Sequence, residues 1–217
     1  QITITVNDDA GDTLNATDLS TLGGKTAATA TVSNAVVISG TQAQVTAALV
    51  TNETKVTAAN ALVTVSDDAG VNLNAEDLSA IGGATVGNVT VTNAVNIQGT
   101  QAQVTAALVT DETKVTASTA TVELDDGETP SITQLNNIAA AAGVVTASLA
   151  ANSLSNLGAL TTASTDQITI TVNDDAATNV NAEDLSALGG KTAATVTVSN
   201  AVNIQGTQAQ VTAALVT

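Results

Sequence analysis

The sequence predicts an α/β fold: a repeat solenoid with a parallel β-sheet and short crossover helices. Three observations predict it. Residues 167–217 repeat residues 1–51 with nine differences, at Gly11, Asp12, Thr13, Leu14, Thr17, Thr21, Ala30, Val37 and Ser39. A shorter period lies inside the long one. TQAQVTAALVT begins at Thr41, Thr100 and Thr207, and Asn-Ala-x-Asp-Leu-Ser begins at Asn15, Asn74 and Asn181, so the two motifs advance along the chain in equal steps. A period of a few tens of residues marks solenoids or arrays. Finally, strand-like and helix-like segments alternate at intervals of about 25 to 30 residues. Such strands are too far apart for tight hairpins, and the economical pairing is parallel with right-handed crossovers.

Each short repeat, as from Asn15 to Asn74, holds two half-units, since Thr41 and its helix motif fall between the two Asn motifs. In one half-unit Ala61, Val63 and Val65 alternate with Leu62, Thr64 and Ser66, the period of a half-buried strand. The turn Asp67-Asp68-Ala69-Gly70 follows, and Asn74 caps a helix whose first-turn acids, Glu76 and Asp77, suit the helix dipole. Gly82-Gly83 ends it. In the other, Val89 and Val91 alternate with Thr90 and Thr92, Asn93 stops the strand, and Thr100 caps a helix with Ala102, Val104, Ala107 and Leu108 on one face. The same strand recurs at Ile2 to Val6, Ala28 to Val32, Ala120 to Leu124, Ile168 to Val172 and Ala194 to Val198, with a weaker copy near Val145 to Leu149, eight strands in all. The plan is that of leucine-rich repeats without their leucine signature. A tandem array of β-sandwiches would require TQAQVTAALV to be strand, against its Ala, Gln and Leu content.

Residues 1–128 therefore read as regular strand-helix repeats, 129–166 as one or more irregular rungs, and 167–217 as the start of the next long period of a continuous solenoid. In the irregular part Pro130 stands where a first helical turn would begin, and Ile132, Leu135, Ile138 and Ala139 keep helical spacing. SLAANSLSNLGALTTAST is a degraded half-unit, and a bend or a boundary between two stacks is the alternative to an irregular rung.

Composition narrows the function. The chain has no Phe, Trp, Tyr, Met, Cys or His, so its core rests on Val, Ile, Leu and Ala, and a thin core of many stacked layers suits it better than a globule. The net charge is −16, with Lys25, Lys55, Lys114 and Lys191 the four basic residues, which disfavours nucleic acid and anionic membranes. No apolar run nears the roughly 20 residues of a spanning helix, the nearest being Ile138 to Val145. We expect a soluble chain without membrane insertion. Lacking an initiator Met and a signal peptide, it reads as an internal fragment. Without His or Cys the usual nucleophilic triads are excluded, and the acid pairs recur instead of converging, so no catalytic residues and no enzyme are expected.

The best candidate site is a row of turn residues. Superposed strands place Asp8, Asn34, Asp67, Asn93, Asp126, Asp174 and Asn200 at equivalent positions, flanked by Asp9, Asp68, Asp125 and Asp175. Stacked about 4.8 Å apart, these oxygens would suit Ca²⁺. The plainer role of the acids is in turns, with Asn34, Asn93 and Asn200 as a structural ladder relieving like-charge repulsion. Ca²⁺ is the one cofactor the sequence suggests. Outward Thr pairs (Thr3/Thr5, Thr29/Thr31, Thr90/Thr92, Thr169/Thr171, Thr195/Thr197) offer a flat hydroxyl array of the kind that binds ice, although Thr is also a favoured strand residue. The array is interrupted at Leu62/Thr64 and Thr121/Glu123. Lys55 and Lys114, each shortly after Glu53 or Glu112, read as surface charges offsetting nearby acids.

VTVSNAVNIQGTQAQVTAALVT and VNAEDLSALGG resemble internal repeats of very large secreted or surface proteins of bacteria, particularly cyanobacteria, of the hemolysin-type calcium-binding or adhesin-like group. The glycine-aspartate nonapeptide of that group is absent. The resemblance implies an extracellular or cell-surface location and a structural or adhesive role. The expected function is a repeat segment of an extracellular fibre, sheath or adhesin stalk whose partners are copies of itself; the alternative is an adhesive module that binds Ca²⁺ or a surface ligand.

Overall fold

The computed structural model describes residues 2–113 and 115–216, and every strand pairing in it that carries a defined register is parallel. Lys114 lies outside the described residues. The chain divides into two compact units, Gln1–Val122 with Ala141–Gly143 and Glu123–Ala140 with Val144–Thr217. The first contains β1 (Ile4–Val6), β2 (Thr13–Asn15), α1 (Ala16–Gly23), β3 (Ala30–Val32), β4 (Val37–Gly40) and α2 (Gln42–Leu49). It continues through β5 (Val56–Thr57), β6 (Leu62–Val65), β7 (Asn72–Asn74), α3 (Ala75–Gly83), β8 (Val89–Val91), β9 (Asn96–Gly99), α4 (Gln101–Leu108) and β10 (Val115–Thr116). The division falls inside β11 (Thr121–Leu124). The second unit holds α5 (Ile132–Ala141) apart from its last residue, β12 (Val144–Ser148), α6 (Leu154–Leu157), β13 (Gln167–Val172), β14 (Asn179–Asn181), α7 (Ala182–Gly189), β15 (Val196–Val198), β16 (Asn203–Gln205) and α8 (Gln208–Leu215).

All eight strands expected from the alternating segments are present, most of them shortened at their ends. Eight more, β2, β4, β5, β7, β9, β10, β14 and β16, are added to them. Six half-units among the described residues run strand, turn, second strand, helix, with β2, β4, β7, β9, β14 and β16 as the second strands, whereas β5 and β10 follow α2 and α4, and β11 and β12 lead into α5 and α6 without a second strand. Second strands such as Asn72-Leu73-Asn74 and Asn96-Ile97-Gln98-Gly99 are short and rich in Asn, Gln and Gly, poor strand formers alone. Pairing with a neighbouring rung stabilises them, as where Leu73 meets Ile97.

The register in the first unit departs from a simple column of first strands. β1, β3 and β5 pair in that order, while a five-stranded sheet runs β10-β8-β6-β4-β2. β4, a second strand, therefore pairs on one side with β2 (Ile38 opposite Leu14) and on the other with β6 (Ile38 opposite Val63), a first strand of the next short repeat. Each repeat steps sideways by one strand position. In the second unit β13 pairs with β12 and β15, and β14 with β16.

Helix starts follow the sequence closely. Asn15, Asn74 and Asn181 accept from the backbone N–H groups of Thr17, Glu76 and Glu183, at 2.8, 2.8 and 2.9 Å. Thr41, Thr100 and Thr207 each form a capping box with the Gln of the first helical turn. Val104, Ala107 and Leu108 are buried as their spacing implies, whereas Ala102 is exposed. Pro130 precedes the helix instead of opening it: Ser131 is the cap, and Gln134 closes a box with it. Gly82 has a different function from helix termination, because a Cβ there would lie 2.1 Å from the Thr113 carbonyl oxygen. The layers of the core are aliphatic, with Ile38, Leu78, Ile81 and Ile97 fully buried in the first unit and Leu135, Ile138, Ile168 and Ile170 in the second.

Candidate functional site

Asp8-Asp9, Asp67-Asp68 and Asp174-Asp175 occupy the turn between first and second strand, whereas Asp125-Asp126 lies between β11 and α5. The second acid opens a tight turn in three pairs and the first acid, Asp125, in the fourth, so Asp126 is not the equivalent of Asp8 that superposed strands suggest: the carbonyls of Asp9, Asp68, Asp125 and Asp175 accept from the N–H of Asp12, Val71, Glu128 and Thr178, at 3.1, 3.2, 3.1 and 3.1 Å. The third turn residue has positive φ, being Gly11, Gly70, Gly127 and, exceptionally, Ala177 at φ 65°. Such turns favour Gly there because a Cβ crowds the backbone.

The Asn residues bond to the Asp residues in pairs. Nδ2 of Asn34, Asn93 and Asn200 donates to the backbone carbonyl of Asp8, Asp67 and Asp174, at 2.6, 2.6 and 2.8 Å. The sideways step after β4 breaks the single row that superposed strands suggest. β3 continues to β5, and β6 lies beside β4, so Asn34 and Asp67 follow strands that are not neighbours.

Two first acids act on helices. Oδ2 of Asp67 accepts from the Gln42 N–H at the start of α2 (2.6 Å), and Oδ2 of Asp174 accepts from the Leu154 N–H at the start of α6 (2.8 Å). A carboxylate there satisfies a helix donor and complements the dipole. Asp126 is exposed, and so are Asp9, Asp68, Asp125 and Asp175. Among the described residues no three His, Cys, Asp or Glu side chains gather as a metal-binding group.

Several polar residues escaped the sequence reading. Gln42 is 8% exposed, and its side-chain amide donates to the Asn74 carbonyl (2.7 Å) and accepts from the Asn74 N–H (3.1 Å), bonding β7 as a strand would. The signal was available, because Gln42 belongs to the thrice-repeated TQAQ motif. Asp166, 3% exposed, accepts from the N–H of Val145 (2.8 Å) and Ala163 (2.7 Å). It lies in the irregular segment, where no repeat flags it. Lys55 donates to Asn52 at 3.0 Å, a closer partner than the acids expected beside it.

The Thr faces are real but short. Thr5, Thr31 and Thr57 align across β1, β3 and β5. Across the five-stranded sheet Asn15, Ser39, Thr64, Thr90 and Thr116 form one polar row, while the next row, Thr13, Val37 and Leu62, is mixed. One cleft in the second unit, lined by Leu154, Leu157, Asp174, Asp184, Leu188 and Lys191 among others, brings acids and a lysine together. Its Asp174 is the acid already bound to α6. No helix is long and apolar enough to cross a membrane, among the described residues. No protein-family model, curated protein or solved structure matches the chain.

Proposed function

We propose that the chain is a structural segment of an extracellular fibre, sheath or adhesin stalk, a solenoid in which equivalent rungs stack end to end. The observation that carries this reading is the repetition of one core in successive rungs. Val36 and Val95, Ile38 and Ile97, and Val45 and Val104, counterparts in successive short repeats, are all fully buried. Each rung completes the core of its neighbour, the condition for a stack stabilised by nearest-neighbour interfaces. The polar residues that sequence reading offered as a site are engaged in turns, caps and rung-to-rung bonds, which supports a scaffold over a reaction centre. The extracellular placement rests on the resemblance to bacterial surface repeats.

Thermal unfolding by far-UV circular dichroism, with and without millimolar Ca²⁺ and with Mg²⁺ at matched ionic strength, tests the reading. The expected result is the same midpoint in both divalent salts. A Ca²⁺-specific rise of many degrees would make the Asp turns a metal site and favour the adhesive alternative. The five-membered polar row supports the surface-ligand form of that alternative, read out by retention of the chain on polysaccharide matrices and loss of retention in Thr64→Val/Thr90→Val.

A further inference from the structure

The start of α6 is built like the start of α2, with one contact missing. Gly40 lies opposite Val65, and Asn152 lies opposite Val172. The carbonyls of Gly40 and Asn152 accept from the N–H of Ser66 and Asn173, at 2.9 and 3.0 Å. The Gln42 N–H donates to the Asp67 carboxylate and the Leu154 N–H to the Asp174 carboxylate, at 2.6 and 2.8 Å. Leu154 is therefore the counterpart of Gln42, and Asn181, the cap of α7, is the counterpart of Asn74, the cap of α3. In the first unit the Gln42 side-chain amide bonds both the N–H and the C=O of Asn74. A leucine side chain has no donor or acceptor, so the second unit lacks this bond.

The Asn181 backbone is accordingly open. The Asn203 N–H donates to the Thr178 carbonyl, so the ladder between β14 and β16 uses Thr178 and Val180 and turns the N–H groups of Asn179 and Asn181 away from β16. Neither N–H has a partner among the described residues. Both residues line the cleft between α6 and α7, whose volume of about 570 Å³ is that of a small-ligand site. The short α6 makes part of this room, since Leu154–Leu157 is a single turn where α2 runs from Gln42 to Leu49. α7 packs against both α6 and α8, so the cleft lies within the run of rungs and not at its end. Lys191, in the same cleft, is half-buried, and its ammonium has neither an ion pair nor a hydrogen bond among the described residues.

We propose that this cleft binds a small ligand carrying a primary carboxamide and a carboxylate, of which free glutamine is the simplest example. The carboxamide does for Asn181 what the Gln42 side chain does for Asn74: its oxygen accepts from the N–H, and its NH₂ donates to the C=O. The Lys191 ammonium receives the carboxylate. Glutamate is rejected, because a second carboxylate in place of the amide has no proton to donate and adds a negative charge to a cleft that already holds Asp174 and Asp184. Ligand binding in this cleft and stacking of rungs are independent, so each can fail without the other.

Heteronuclear NMR of the full chain, titrated with L-glutamine, reads the Asn181 amide directly. The expected result is a saturable shift of the Asn179 and Asn181 signals with L-glutamine and none with L-glutamate at the same concentration and ionic strength. Leu154→Gln supplies the amide from within the chain and should abolish the saturable shift while the circular dichroism spectrum is retained. Lys191→Met should weaken binding about fivefold. Absence of saturation with L-glutamine overturns the proposal, as do equal shifts with L-glutamate, a folded Leu154→Gln chain that still binds, or an affinity unchanged in Lys191→Met. If Leu154→Gln does not fold, the two titrations of the parent chain decide between the outcomes.

Discussion

At the residue scale, Ala177 departs most clearly from the local backbone rules. It holds φ 65° where Gly11, Gly70 and Gly127 stand in the equivalent turns. A left-handed Ala costs about 1–2 kcal/mol, and Gly returns part of that gain through its greater freedom when unfolded. Ala177→Gly should therefore stabilise the chain by about 0.5–1 kcal/mol, read as a higher urea midpoint at unchanged slope. A lower midpoint would mean that the turn at Asp175 does not set the local stability. Gln42 belongs to this scale too. One buried amide satisfies both the N–H and the C=O of Asn74, so β7 needs no further strand at that position.

At the level of elements, identical sequence has different energetic weight in different rungs. QAQVTAAL forms α2, α4 and α8, yet Val45 and Val104 are fully buried while Val211 is only half-buried. Val104→Ala should cost about 1.5–2.5 kcal/mol, from two lost methyl groups and a partly unfilled cavity, and Val211→Ala under about 1 kcal/mol. Equal losses in denaturant unfolding of the monomer would contradict the exposed placement of α8. First strands and helices were legible in the sequence because Val-x-Val alternation and Asn or Thr caps are local signals. Second strands were not, since Asn72-Leu73-Asn74 has one apolar residue and its strand geometry is imposed by the rung beside it. The candidate site was legible as turn residues but not in its connections. The Asp67 contact with α2 and the break between Asn34 and Asp67 both follow from β4 pairing with β6, which no local pattern encodes.

For the whole molecule, charge is the dominant non-local quantity. A net charge of −16 with four basic residues leaves self-repulsion largely uncompensated. Screening shortens its range from about 30 Å at 0.01 M salt to about 3 Å at 1 M, so the unfolding midpoint should climb steadily with NaCl. A midpoint that stays flat from low to high NaCl would show that the acids are already neutralised within their turns. The sideways step between β4 and β6 carries a further implication, for inheritance. Loss or gain of a full short repeat in the coding sequence keeps a β4-type second strand beside a β6-type first strand and a Gln42-type amide opposite an Asn74-type backbone. Loss of a single half-unit leaves that amide facing the wrong partner. Natural length variants of this chain should therefore differ by whole repeats, a quantised polymorphism enforced by strand pairing.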